Sequence, residues 1–76
     1  MIIRSQDKKS ITTDLNLKIM YRDGMLVKYK ICSSKEGCIG YYSTEEKAIK
    51  VLDMIQSNYV CHKGLRYFQM PQDSEV

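Results

Sequence analysis

A chain of 76 residues lies near the lower size limit of a single domain, where folding buries only roughly 60% of the surface that the unfolded chain exposes. A single domain is expected, and self-association into a homo-oligomer is an expected source of added stability. The net charge of +3 is unevenly spread: residues 1–35 carry eight Lys or Arg against three Asp, giving +5, whereas residues 36–76 carry four against six acids, giving −2.

The start, Met1-Ile2-Ile3, runs straight into Arg4-Ser5-Gln6-Asp7-Lys8-Lys9 without an apolar core or a small-residue cleavage site. No secretory signal is read there, no apolar run approaches the roughly 18 residues of a membrane span, and the expected location is the cytosol, with reduced cysteines. Ile2 to Arg4 and Ser10 to Thr13 are short strands around the polar turn between them.

In the next stretch, Leu17-Lys18-Ile19-Met20-Tyr21 and Met25 to Ile31 alternate with period two around Arg22-Asp23-Gly24. A three-residue loop with Gly24 in the left-handed conformation would set Tyr21 against Met25, Ile19 against Val27 and Leu17 against Tyr29. That register makes one face uniformly apolar and gathers Lys18, Lys28 and Lys30 on the other, with Lys18 facing Lys28. Tyr21 and Tyr29 then belong to the core.

Cys32 to Gly37 reads as a loop and Cys38 to Tyr42 as a further strand. Cys32 and Cys38 lie at the two ends of that loop, but a reducing compartment argues against a bond between them. Ser43 and Glu46 have the spacing of a capping box, with Glu45 and Glu46 where the helix dipole favours negative charge. Ala48, Val51, Leu52, Ile55 and Tyr59 follow at spacings of three and four, with Glu46, Lys47, Lys50, Asp53 and Gln56 on the other side. This amphipathic helix ends between Ser57 and Lys63, Gly64 being the available stop. Leu65 to Met70 forms a last strand that Pro71 closes. The expectation is an α+β domain over residues 1–71: a small, mainly antiparallel sheet of four to six strands with one helix on one face, followed by a loose tail, 72–76.

The chain lacks the converging nucleophile, base and orienting group of the common hydrolases and transferases. Cys61 and His62 are adjacent, but neighbours on a helix point about 100° apart. His62 is the one histidine and there is no Cys-x-x-Cys pair, so neither a metal nor a cofactor is expected. The helix carries acids beside its lysines, unlike a duplex-reading helix.

Cations and rings carry more. Lys18, Lys28 and Lys30 on the open face, joined by Arg4, Lys8, Lys9 and Arg66 and by the rings of Tyr41, Tyr42 or Tyr67, are the elements of an anion- and nucleotide-binding surface. Ordinary solubility and lysine protection of sheet edges are the competing explanation.

Three stretches, "IIRSQDKKSI", "GYYSTEEKAIKVLDMI" and "FQMPQDSEV", cover roughly half of the chain. In combination they resemble a set of short proteins encoded in phages and integrated mobile elements of low-GC Gram-positive bacteria. The resemblance implies a cytosolic accessory protein and supplies no catalytic residues. By analogy with small inhibitors in that setting, the expected function is non-enzymatic counter-defence by sequestering an anionic nucleotide signal of a host immune system. Two alternatives stand beside it: direct inhibition of a CRISPR nuclease or another defence effector, and weak binding of single-stranded nucleic acid.

Overall fold

The computed structural model describes residues 1–24, 26–61 and 67–76. In chain order these form β1 (Ile2–Arg4), β2 (Ile11–Thr12), β3 (Leu17–Tyr21), β4 (Tyr29–Ser33), β5 (Gly37–Tyr42), α1 (Glu45–Cys61), β6 (Tyr67–Gln69) and a single 3-10 turn (Asp73–Glu75). The fold is α+β, and its strands are divided between two three-stranded sheets, β2-β1-β6 and β3-β4-β5. All the pairings are antiparallel except that of β6 with β1, which follows the crossover through α1.

The β3–β4 register differs from the expected one. Ile19 faces Ile31 rather than Val27, Tyr21 faces Tyr29, and Lys18 faces Cys32 rather than Lys28. Arg22 N donates to Lys28 O at 2.8 Å, so the connection holds Val27 and Lys28 that were assigned to the strand; Met25 lies outside the described residues. The shift from Val27 to Ile31 is an even number of positions, so each side chain keeps its face even though its partner changes. The observed register matches a β-branched pair and an aromatic pair, with the Tyr21 and Tyr29 rings 5.1 Å apart, and removes the lysine–lysine pair. Tyr29 packs on the core, whereas Tyr21 is exposed, in contrast to its expected burial.

The β4–β5 hairpin turns through Ser34-Lys35-Glu36, with Gly37 at φ +77°, a conformation open to glycine without strain. A register shift between Ile31 and Cys32 leaves Ile39 as the extra residue of a bulge. Beside it, Gly40 is closely covered: a Cβ there would lie 2.8 Å from Met70 Cε and 3.0 Å from the Tyr42 ring, so a side chain would require Met70 to shift.

The helix begins one residue later than the capping-box expectation. Thr44 caps it, accepting from Lys47 N at 3.2 Å, while Ser43 turns its backbone N–H and hydroxyl to Asp73 Oδ1 at 2.8 and 3.1 Å. A carboxylate is the stronger acceptor, which explains the diversion of Ser43. Lys47 completes the link through Asp73 O at 3.0 Å. Residues 72–76, expected as a loose tail, therefore hold a turn docked beside the start of α1, with Val76 packed against the core.

One apolar cluster serves both sheets and the helix: Ile3, Phe68 and Met70, then Ile31, Ile39 and Tyr42, then Ala48, Val51 and Ile55. Tyr59, expected in the helix's apolar stripe, is exposed. The sheets are also joined by Gln6, whose backbone N–H donates to Ile39 O at 2.8 Å. Its side-chain amide accepts from Tyr41 N and donates to Tyr41 O, both at 3.0 Å. A primary amide offers the donor and acceptor of a peptide group, so Gln6 completes the outer edge of β5 as a strand would. The expected helix stop at Gly64 lies outside the described residues, as does the start of the last strand at Leu65. No helix among the described residues is long and apolar enough to cross a membrane.

Candidate functional site

The period-two alternation of strands sends Ile3, Thr12 and Phe68 inward from the sheet β2-β1-β6 and leaves Ile2, Arg4, Ile11, Tyr67 and Gln69 on its outer face. The 5–10 loop rises at one end of that face. Ser5 N donates to Ser10 O at 2.8 Å, Lys8 N donates to Ser5 O at 2.9 Å, and Asp7 Oδ1 accepts from the Ser5 hydroxyl and from Lys9 N. The Ser5 hydroxyl, then the Lys9 N–H, hold the Asp7 carboxyl below the usual carboxylate range. Lys8 sits at φ +66°, a conformation uncommon for a residue with a side chain.

Loop and outer face together form an open groove of about 700 Å³ whose charged lining residues, among those described, are Arg4, Lys8 and Lys9, with no carboxylate among them. Arg4 Nε donates to Lys8 O at 3.1 Å, which ties the guanidinium to the loop through one nitrogen and leaves its terminal nitrogens for another acceptor. Among the described residues none of these three cations forms an ion pair; the one present joins Lys47 to Asp73. Tyr67, 72% exposed, lines the same groove with its ring bare to solvent.

The expected single basic face is thus distributed over two sheets. Arg4, Lys8 and Lys9 line the groove with Tyr67. Lys18, Lys30 and Tyr41 share the outer face of β3-β4-β5, Lys30 lying between Met20 and Tyr41. Lys28 is in the β3–β4 connection and no longer faces Lys18. Tyr42, expected as a stacking ring, is wholly buried, with its hydroxyl donating to Pro71 O at 2.8 Å; burial, then the charges of Asp73 and Glu75, push the phenol far above its ordinary range. Arg66 and His62 lie outside the described residues.

Sequence reasoning assigned no part to Ile2, Ile11 or Gln69. Their signal is the alternation of Ile2 with Arg4 and of Tyr67 with Gln69; what it lacks is any mark that the first and last strands pair.

Cys32 and Cys38 face each other across β4 and β5 with their sulfurs side by side, the placement of a cross-strand disulfide, whereas the expectation is that they stay reduced. The bulge makes them direct neighbours, which a loop reading of residues 32–37 does not anticipate. Elsewhere, Asp14 accepts from the Ser34 and Ser33 hydroxyls at 2.7 and 2.8 Å and from Asn16 N at 3.0 Å. These bonds, that from Ser34 first, hold its carboxyl far below the usual range, and they fasten the β2–β3 connection to the β4–β5 turn. No family model, curated protein or solved structure matches this chain.

Proposed function

We propose that the protein is a non-enzymatic binding protein that captures an anionic nucleotide in the groove of β1, β2 and β6, and that it does so as a phage or mobile-element accessory protein acting against a host defence signal. The carrying observation is the groove itself: three cations, no lining carboxylate and a bare aromatic ring around one open cavity. Clefts lined by one sign of charge concentrate counter-charged ligands, and Arg4, tethered through Nε, presents the planar fork suited to phosphate. The resemblance of the end and middle segments to mobile-element proteins supplies the biological setting.

Self-association belongs to the same reading. The open edge of β3, with Met20 and Tyr21 exposed, supports it, because an unpaired strand edge is a template for another chain. Native mass of the purified protein measures it.

Titration calorimetry against cyclic oligonucleotides and ADP-ribose-derived signals tests the proposal. Saturable heat that Arg4→Ala removes is the expected result, and silence with the whole set overturns it. A protein recovered from host lysate in stoichiometric amount, with no nucleotide heat, would favour the direct inhibitor of a CRISPR nuclease or other effector. Binding to single strands that collapses as salt rises would favour a nucleic-acid binder.

A further inference from the structure

Resting on the proposed anion capture, we infer that the groove's ligand is a nucleotide unit read at both ends, its phosphate held by Arg4, Lys8 and Lys9 and its base laid on Tyr67. The groove has two chemically distinct ends set by strand register. Ile2 pairs with Tyr67 and Arg4 pairs with Gln69, so an apolar, aromatic rung and a cationic, polar rung succeed each other on one face. Two residues along a strand span about 7 Å, a separation that one sugar bridges between a base and its 5′-phosphate.

The cationic end holds all three positive charges found among the groove's described residues, since Lys8 and Lys9 belong to the loop to which Arg4 is tied. Among the described residues the aromatic end holds none. A polyphosphate without a base would leave Tyr67 bare, and a nucleoside without phosphate would leave three cations unanswered.

Gln69 stands beside Arg4 on the cationic rung. Its Nε2 donates to Ser5 O at 2.9 Å and to Met70 O at 3.0 Å, while its Oε1 accepts no hydrogen bond among the described residues. A free carbonyl oxygen accepts from a hydroxyl, so it suits the sugar that carries the phosphate. Stacking on Tyr67 tolerates every base, because each has a π-face, so the ligand class is set by its three-part construction rather than by one base.

The test titrates the four nucleoside 5′-diphosphates, ribose 5-phosphate, inorganic pyrophosphate and adenosine into the full chain. The nucleotides should bind at least about tenfold more tightly than ribose 5-phosphate or pyrophosphate, in line with one stacked base, and adenosine should not saturate. Tyr67→Ala should reduce nucleotide affinity to the pyrophosphate level and leave that level unchanged, while Tyr67→Phe restores the wild-type value. Since Tyr67 is 72% exposed, truncation leaves the core intact, which circular dichroism checks. Equal affinity for pyrophosphate and nucleotides, or an unaffected Tyr67→Ala variant, would overturn the two-ended reading and leave the anion groove standing. Silence with every phosphate compound would overturn both.

Discussion

Asp14 and Asp73 each close a contact between segments distant in sequence, and both do so as ionised carboxylates. Asp14 receives two serine hydroxyls and a backbone N–H, and Asp73 receives Ser43 twice and lies beside Lys47. Hydrogen bonds to the charged form lower both carboxyls from their ordinary values, chiefly Ser34 for Asp14 and the Ser43 backbone N–H for Asp73. The unfolded chain takes up these protons first, at about pH 4. The stabilisation is therefore complete above that value and drains away as pH falls below it. Urea unfolding at about pH 6 and about pH 3 should show lower stability in acid, and Asp14→Asn should make the decline shallower; an Asp14→Asn protein with the wild-type pH slope would refute this assignment.

The individual elements were largely legible before their partners were. Alternation in Leu17-Lys18-Ile19-Met20-Tyr21 places the apolar face correctly because a strand's faces depend only on parity. Parity does not fix loop length, so the partner of Ile19 moved to Ile31 without any residue changing sides. The helix was legible from Ala48, Val51 and Ile55 alone. Its cap was not, because Ser43 and Thr44 are both competent caps and the choice was made by Asp73, thirty residues away. The Cys32–Cys38 bond belongs to this scale as well. It closes a loop with a sequence separation of six, and by loop-closure entropy its removal should lower the unfolding free energy by about 2 kcal/mol. Cys38→Ser should show that loss in denaturant, and the reduced wild-type protein should match the variant; coincident curves for oxidised and reduced protein would exclude the bond as a stabilising element.

Across the whole molecule, the two-sheet arrangement and the groove depend on contacts that composition does not announce. Gln6 looks like one more polar turn residue, yet it stitches β5 to the segment that continues from β1, and Gln72 Nε2 donates to its backbone carbonyl at 2.8 Å. The cations of the candidate site were identified as residue types, but their division between sheets follows from the parallel pairing of β1 with β6, which joins opposite ends of the chain. Gln6→Ala leaves the Tyr41 backbone donor and acceptor to water and loosens the loop that carries Lys8 and Lys9. It should cost about 1–3 kcal/mol and weaken nucleotide binding together with it, as read by urea unfolding and calorimetry on the same preparation; a variant of unchanged stability would show that Gln6 is no clasp.

Pairing of β1 with β6 also fixes when the groove can exist during synthesis. The residues of β1, Arg4 among them, leave the ribosome before the rest of the groove, and Lys8 and Lys9 follow at once, but the rung bearing Tyr67 and Gln69 arrives only after α1 has been made. A nascent chain halted within the helix therefore displays the cations without the wall that turns them into a cleft, and capture of a ligand waits until β6 has been made.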